Sequence, residues 1–213
     1  MLSPLAVVLT AVLLGVRHAT DPDHVVAVTT IVTRERRFWR ASSIGALWGV
    51  GHTATICLVG GAIVLLKLTI PPRLGLGMEF VVALMLIGLG LYNLAGPRRQ
   101  AAAPSAVRPV LVGMVHGLAG SAAIALLVLA AIDTTAWALA YLVIFGAGTV
   151  VGMMLVTAAI ALPSLYAVTR VPTLERYLRV ASGAASLAFG LFLAHQIGVV
   201  DGLFSVAPQW DPH

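Results

Sequence analysis

The sequence predicts an all-α integral membrane protein with six transmembrane helices, arranged as two inverted repeats of three helices each. Of its 213 residues, 60% are hydrophobic and 10% are charged, and the mean hydropathy is +1.00. Soluble domains carry about 25% charged residues, so this composition excludes the soluble class. Apolar runs of spanning length recur along the chain, and only helices satisfy every backbone group of such runs in lipid.

Six apolar segments are long enough to cross a bilayer, for which about 20 residues suffice. They cover residues 3–33 with an interruption at 18–22, then 41–67, 74–96, 109–132, 136–162 and 177–200. No basic residue precedes Arg17, so the first segment is expected to be a span rather than a signal peptide. Pro163 is expected to end the fifth segment.

The basic residues between these segments favour one side of the membrane. Ten of them follow the first, third and fifth segments: Arg34, Arg36, Arg37, Arg40, Arg98, Arg99, Arg108, Arg170, Arg176 and Arg179. The other side holds only Lys67 and Arg73. The positive-inside rule predicts a multi-pass protein of the cytoplasmic membrane with both termini outside. The net charge of +5 therefore indicates membrane orientation and not nucleic-acid binding.

A loop at 97–108, rich in Ala, Pro and Arg, divides the chain into halves 1–96 and 109–213. Three helices in each half force opposite orientations, which is the inverted-repeat plan of many secondary transporters. Weak internal similarity supports it, because Arg17-His18-Ala19-Thr20 and Val115-His116-Gly117-Leu118 each lie on the first helix of a half.

The stretch 17–24, Arg-His-Ala-Thr-Asp-Pro-Asp-His, places charged and imidazole groups inside the first apolar segment. Such groups are costly at bilayer depth and usually face a cavity or each other. Asp21-Pro22 has the pattern of an N-cap followed by proline at the first helical position. Because Pro22 lacks an N–H, we expect the helix to stop near His18 and to restart at Pro22.

Two further histidines, His52 and His116, lie near the centres of their segments. At 1.5 Å per residue, both should lie within roughly 6 Å of the membrane midplane, as should His18. The candidate metal ligands are His18, Asp21, Asp23, His24, His52 and His116. Asp21 is expected either as a ligand or only as the helix cap. Arg17 is expected to be a counter-charge to Asp21 or Asp23.

A set of imidazoles and carboxylates without thiolates favours a borderline divalent transition metal. The single Cys57 is expected to be a small buried hydrophobe. Three alternatives remain. One is a transporter or exporter of another small substrate, in which Arg17 contacts the substrate and the His/Asp cluster relays protons. Another is a haem-binding electron-transfer subunit with His52 and His116 as axial ligands. The third is a non-transporting accessory that delivers metal to an enzyme.

The stretch Arg17-His18-Ala19-Thr20-Asp21-Pro22-Asp23-His24-Val25 resembles the signature of the nickel/cobalt transporter family. That signature is Arg-His-Ala, a variable residue, then Asp-Ala-Asp-His-Ile on an early membrane helix. Gly51-His52-Thr53 resembles the Gly-His pair on the family's following helix. The resemblance implies metal recognition by His18, Asp23 and His24, with His52 participating.

Three features depart from the family pattern: Pro22 replaces Ala, a later motif with Asp flanked by Thr is absent, and typical members have eight spans. The chain is similar to the shorter, six-helix branch grouped with urease-accessory permeases. The resemblance implies a non-enzymatic permease for Ni²⁺ or Co²⁺ with no tightly bound cofactor. Uptake is expected because an inside-negative membrane potential favours the entry of a divalent cation. Its implied partners are the metal ion, membrane lipids, and metallochaperone or urease/hydrogenase maturation proteins.

Overall fold

The computed structural model describes residues 4–33, 35, 37–68, 70–95, 106–132, 134–170 and 172–210. Within these ranges the regular structure is entirely helical. The helices are α1 (Pro4–His18), α2 (Pro22–Val32), α3 (Phe38–Thr55), α4 (Gly61–Leu66), α5 (Pro72–Ala95), α6 (Val107–Ala131), α7 (Thr135–Arg170) and α8 (Pro172–His195). Two π-helical turns, Ile56–Gly60 and Gln196–Val200, follow α3 and α8.

Four helical segments are long and apolar enough to cross a membrane: Phe38–Leu66, Pro72–Ala95, Thr135–Leu162 and Arg176–Val200. Leu5–His18 and Pro22–Val32 form a bent pair, at 55°, that makes a fifth span if both halves are counted together. In α6, Val107–Ala119 is a shorter apolar segment, and the side chains of 120–131 lie outside the described residues. The structure therefore supports an all-α membrane protein, while the number of six spans stays a prediction.

The interruption of the first span lies at the predicted residues. Helix α1 ends at His18 and α2 begins at Pro22, with Asp21 at the N-cap position in an extended conformation. The amides of Thr20 and Asp21 donate to the carbonyls of Arg17 and His18 in a tight turn. The first bond of the new helix runs from the Val25 amide to the Asp21 carbonyl, over 3.0 Å. Proline thus starts the second half-helix, as its missing N–H requires.

The prediction that Pro163 ends the fifth segment was wrong. Helix α7 continues through this position to Arg170. A proline removes one hydrogen bond from a helix interior, and long membrane helices tolerate this loss because local adjustments and neighbouring groups satisfy the freed carbonyl. The predicted linker 97–108 lies largely outside the described residues, which resume at Ala106.

Helix α3 lies at the centre of the bundle, between α6 and α7. Helix α1 packs against α7, and α5 packs against α8. Glycines make the close approaches: a Cβ at Gly113 of α6 would meet the backbone of Trp48 in α3, and a Cβ at Gly15 of α1 would meet the backbone of Phe145 in α7. Small residues let membrane helices approach in this way. The end of the bundle where α3, α6 and α8 begin carries Arg37, Arg108 and Arg176, and is called the arginine end below.

A buried polar network anchors the free end of α2. Asn93 Nδ2 of α5 donates to the Thr30 carbonyl over 2.7 Å, and Thr30 Oγ1 donates to the Ser182 carbonyl of α8 over 3.3 Å. Arg179 donates in turn to the Asn93 carbonyl over 2.5 Å. The half-helix that carries Asp23 and His24 is therefore tied to the α5–α8 pair near the arginine end.

We expect Gly90→Ala to lower the free energy of unfolding by about 1–3 kcal/mol, because overpacking a close contact forces backbones apart. Its Cβ would meet the backbone of Gly183 and Leu187 in α8. Gly88→Ala, on the same helix, is the matched control, since its Cβ would meet nothing within 4 Å. Unfolding of detergent-solubilised protein by sodium dodecyl sulfate measures both variants. Equal stabilities would contradict the assigned α5–α8 contact.

Candidate metal centre

Four imidazole rings from four helices meet beside the break in the first span. The centroid of the His24 ring lies 4.6 Å from that of His18, 5.0 Å from that of His52 and 4.2 Å from that of His116. His18 is the last residue of α1 and His24 lies in the first turn of α2. On one straight helix, six positions correspond to about 600° of rotation at roughly 100° per residue. The two rings would then point in different directions. The break brings them together.

The ligand atoms form two overlapping triads. His18, His24 and His52 make the first, and Asp23, His24 and His116 make the second; within each triad the atoms lie within 4.8 Å of one another. The Nε2 atoms of His18 and His52 approach to 3.1 Å. Two ligands of one metal ion, each about 2.1 Å from it, are at most about 4.2 Å apart. Small inward rotations of these side chains would therefore complete a coordination shell, and His24 belongs to both triads.

Asp23 lies between two of the imidazoles. Its Oδ1 lies 3.0 Å from His24 Nδ1 and accepts a hydrogen bond from the His24 amide over 2.9 Å. Its Oδ2 lies 3.0 Å from His116 Nε2, although not in hydrogen-bonding geometry. Asp23 is thus the carboxylate at the centre of the cluster.

Asp21 occupies a different position. Its Oδ2 lies 2.7 Å from His18 Nδ1, its side chain is 46% exposed, and its carboxylate makes no cap hydrogen bond. It belongs to neither triad. A carboxylate on the second ring nitrogen of a metal-binding histidine sets the tautomer and orientation of the ring. Asp21 therefore caps α2 by position and leaves His18 Nε2 free to face His52.

Three of the four imidazoles are buried, and the cluster is short of hydrogen-bond partners. The exposed fractions of His24, His52 and His116 are 2%, 0% and 1%. Among the described residues, His24 Nε2, His52 Nδ1 and both ring nitrogens of His116 have no hydrogen-bond partner. An unpaired buried polar atom costs about 1–3 kcal/mol. Imidazole lone pairs beside one carboxylate fit a divalent transition-metal cation.

Several sequence expectations concern residues that lie elsewhere. Arg17 is exposed and forms no ion pair with Asp21 or Asp23 among the described contacts, so the expectation that it is their counter-charge was wrong. The two carboxylates contact imidazoles instead, and Arg17 is exposed. Cys57 is half-buried in a π-helical turn and belongs to neither triad. His195 is exposed at the end of α8.

Two aromatic residues next to the cluster were not anticipated. Trp48 is fully buried, and its ring lies 5.7 Å from that of His24 and 5.4 Å from that of His116. The Phe145 ring lies 5.6 Å from that of His18. Trp48 precedes His52 by one helical turn, a spacing visible in the sequence. No sequence signal connects Phe145 with His18, because this contact depends on how α7 crosses α1.

A family model described as HupE / UreJ protein matches residues 3–198. The chain belongs to the HupE/UreJ family. The Urease accessory protein UreH of Bacillus sp. (strain TB-90) is 32% identical over 211 residues, which cover 91% of this chain and 92% of the relative. No solved structure matches the chain. This HupE/UreJ membership confirms the urease-accessory branch of the resemblance, and the name of the relative describes an accessory protein, in agreement with the expectation that the chain is not an enzyme.

We expect Asp21→Asn to weaken Co²⁺ binding by about 10- to 100-fold, the usual cost of losing a carboxylate that orients a ligand histidine. Asp23→Asn should weaken it further, because it removes the only carboxylate of the two triads. Isothermal titration calorimetry and the visible absorption of bound Co²⁺ measure both. His195→Ala, which removes an exposed imidazole far along α8, is the control and should bind normally. If the two Asp variants bound Co²⁺ with equal affinity, the assignment of Asp23 to a triad and of Asp21 to His18 Nδ1 would be contradicted.

Proposed function

We propose that this HupE/UreJ protein is a permease that carries Ni²⁺ or Co²⁺ across the cytoplasmic membrane, in the direction of uptake, through the His/Asp cluster. The observation that carries the proposal is the convergence of four imidazoles, three of them buried, and one carboxylate at the break of a membrane helix. Broken membrane helices are where secondary transporters commonly hold their substrates. The ion is the cargo and not a resident cofactor.

The donor set supports a borderline metal as this cargo. Imidazole suits nickel, cobalt, zinc and copper, whereas calcium and magnesium sites are built from oxygen. Neither triad contains a thiolate, which disfavours Cu(I). Among the remaining metals, the urease-accessory relative favours nickel. Urease or hydrogenase maturation proteins, or a metallochaperone, are then the partners that would receive the ion inside the cell.

Equivalent contacts in the two halves support six spans in an inverted repeat. Gly15 of α1 packs on Phe145 of α7, and Gly113 of α6 packs on Trp48 of α3. One shift of 98 positions relates Gly15 to Gly113 and also His18 to His116. A shift of 97 positions relates Trp48 to Phe145. The α1–α7 contact thus has its counterpart in the α6–α3 contact, as a repeat of the three helices predicts.

The third helix of each half follows the same pattern. Gly90 of α5 packs on Gly183 and Leu187 of α8, and Gly190 of α8 packs on Ala83 and Ile87 of α5. A shift of 100 positions relates Ala83, Ile87 and Gly90 of α5 to Gly183, Leu187 and Gly190 of α8. The two contacts are therefore equivalent under this shift. Halves 1–96 and 109–213 would then be the repeats, joined by the linker 97–108, with the cluster at their interface.

The orientation follows from the arginine end. With this end in the cytoplasm, both termini lie outside and α1 leads from the outer surface to the cluster. An inside-negative membrane potential then favours entry of a divalent cation by about 4.6 kcal/mol per 100 mV for two full charges. This driving force is the reason that uptake is proposed rather than export.

The haem alternative is disfavoured by the packing of the rings. The His52 and His116 ring centroids are 6.0 Å apart, and the His24 ring lies 5.0 Å and 4.2 Å from them. A porphyrin held between His52 and His116 would overlap His24. Purified protein should accordingly show no Soret band.

The proton-relay alternative predicts that purified protein does not bind metal. A titration of purified protein with metal therefore distinguishes it from the proposed metal permease.

We expect His18→Ala and Asp23→Asn each to abolish accumulation of radioactive Ni²⁺ by proteoliposomes with an inside-negative potential, because each removes a ligand from one triad. Membrane insertion and the elution profile in detergent should not change. His195→Ala is the matched histidine control and should accumulate Ni²⁺ normally. Normal accumulation by both site variants would remove this mechanism.

A further inference from the structure

We propose that Phe145 and Trp48 are the two gates of the histidine cluster, Phe145 on the outer side and Trp48 on the arginine side. This inference rests on the proposed transport function. It adds to that function the residues that keep the ion from crossing freely and the side from which each one acts.

The two aromatic residues belong to separate apolar clusters at opposite ends of the bundle. Phe145 packs with Ala11 of α1, Ile56 and Leu142, at the end where α1 and α7 begin. Trp48 packs with Val28 and Met153, toward the arginine end. The four histidines lie between these apolar clusters, so an ion leaving them in either direction meets an apolar layer.

The depths of the two residues differ by more than one helical turn. Thr53 Oγ1 donates to the Gly146 carbonyl over 3.0 Å, which places Phe145 at the level just beyond Thr53. Trp48 lies one turn from His52 on the opposite side, about 6 Å along the axis at 1.5 Å per residue. His52 therefore lies between Phe145 and Trp48.

Each gate faces a different triad. The Phe145 ring lies 5.6 Å from that of His18, a member of the first triad. The Trp48 ring lies 5.4 Å from that of His116, a member of the second. Phe145 is 4% exposed and Trp48 is 0% exposed. The inner histidines His24, His52 and His116 are therefore occluded, whereas 17% of the His18 side chain and 27% of the Asp23 side chain are exposed. An aromatic layer on each side would be a barrier to a hydrated ion, as hydrophobic constrictions are in channels.

Apolar packing, rather than hydrogen bonding, holds the two rings in place. Among the described residues, the Trp48 indole N–H has no hydrogen-bond partner, so no such bond is lost when the ring moves. The Phe145 side chain has no polar group to bind. A Cβ at Gly113 would meet the Trp48 side chain as well as its backbone, so the absence of a Cβ lets the indole ring pack directly against α6. The proposed repeat places Trp48 and Phe145 at equivalent positions of their halves, so movement of one gate is structurally equivalent to movement of the other.

The test measures from which side the cluster can be reached. In a Cys57→Ala background, His52→Cys places one thiol between the gates. A membrane-impermeant cationic methanethiosulfonate reagent is applied to right-side-out or inside-out vesicles, and the rate of modification is measured. We expect Phe145→Ala to accelerate modification from outside only, and Trp48→Ala from the cytoplasmic side only. Each acceleration should reach at least about tenfold if the open form is normally a minor state of 0.1–10%.

Phe189→Ala is the matched control, because Phe189 is a half-buried ring that packs against the cluster of Trp48 from α8. It should change neither rate. The conservative variants Phe145→Leu and Trp48→Phe should restore slow modification, which separates loss of a gate from loss of the fold. Acceleration from both sides in either alanine variant, or the same acceleration with Phe189→Ala, would overturn the assignment. The reagent contains no metal, so the modification test does not depend on the proposed cargo. If modification is one-sided but Ni²⁺ is not transported, the proposed cargo is wrong and the assignment of the two gates stands.

Discussion

The rest of this site depends on one missing N–H group. Pro22 cannot donate to the carbonyl of His18, and the first span therefore ends, turns and restarts. On an unbroken helix, His18 and His24 would point in different directions. The break turns them toward each other, with their ring centroids 4.6 Å apart, and lets α3 and α6 each add one more imidazole.

Such a cluster is expensive in a membrane, and the surrounding packing shows how it is stabilised. Glycines at the helix crossings let α3, α6 and α7 approach closely enough for the rings to meet. Asp23 contacts two of the histidines and Asp21 orients a third. In the proposed permease, a cation would satisfy the ring nitrogens that remain without partners, and its binding energy would compensate for an unfavourable empty site.

In the proposed inverted repeat, the two halves share their helix contacts but not their chemistry. His18 and His116 correspond to each other, whereas the break, the two carboxylates and His24 occur only in the first half, and α6 runs unbroken from Val107 to Ala131. The apolar residues on either side, Phe145 and Trp48, do correspond. This combination, an asymmetric ligand set inside a symmetric framework, allows one site to be enclosed from both directions.

The sequence by itself determined the class of protein, the break at 18–22 and the candidate metal ligands, because apolar run length, the missing proline N–H and the cost of charge in lipid are local properties. The tertiary structure alone decided that Asp23 contacts His24 and His116 while Asp21 contacts His18, that Arg17 is exposed, that α7 continues past Pro163, and that Phe145 and Trp48 lie beside the histidines. Each of these depends on the crossing of helices that are distant in the sequence. No pattern within one segment encodes such a crossing.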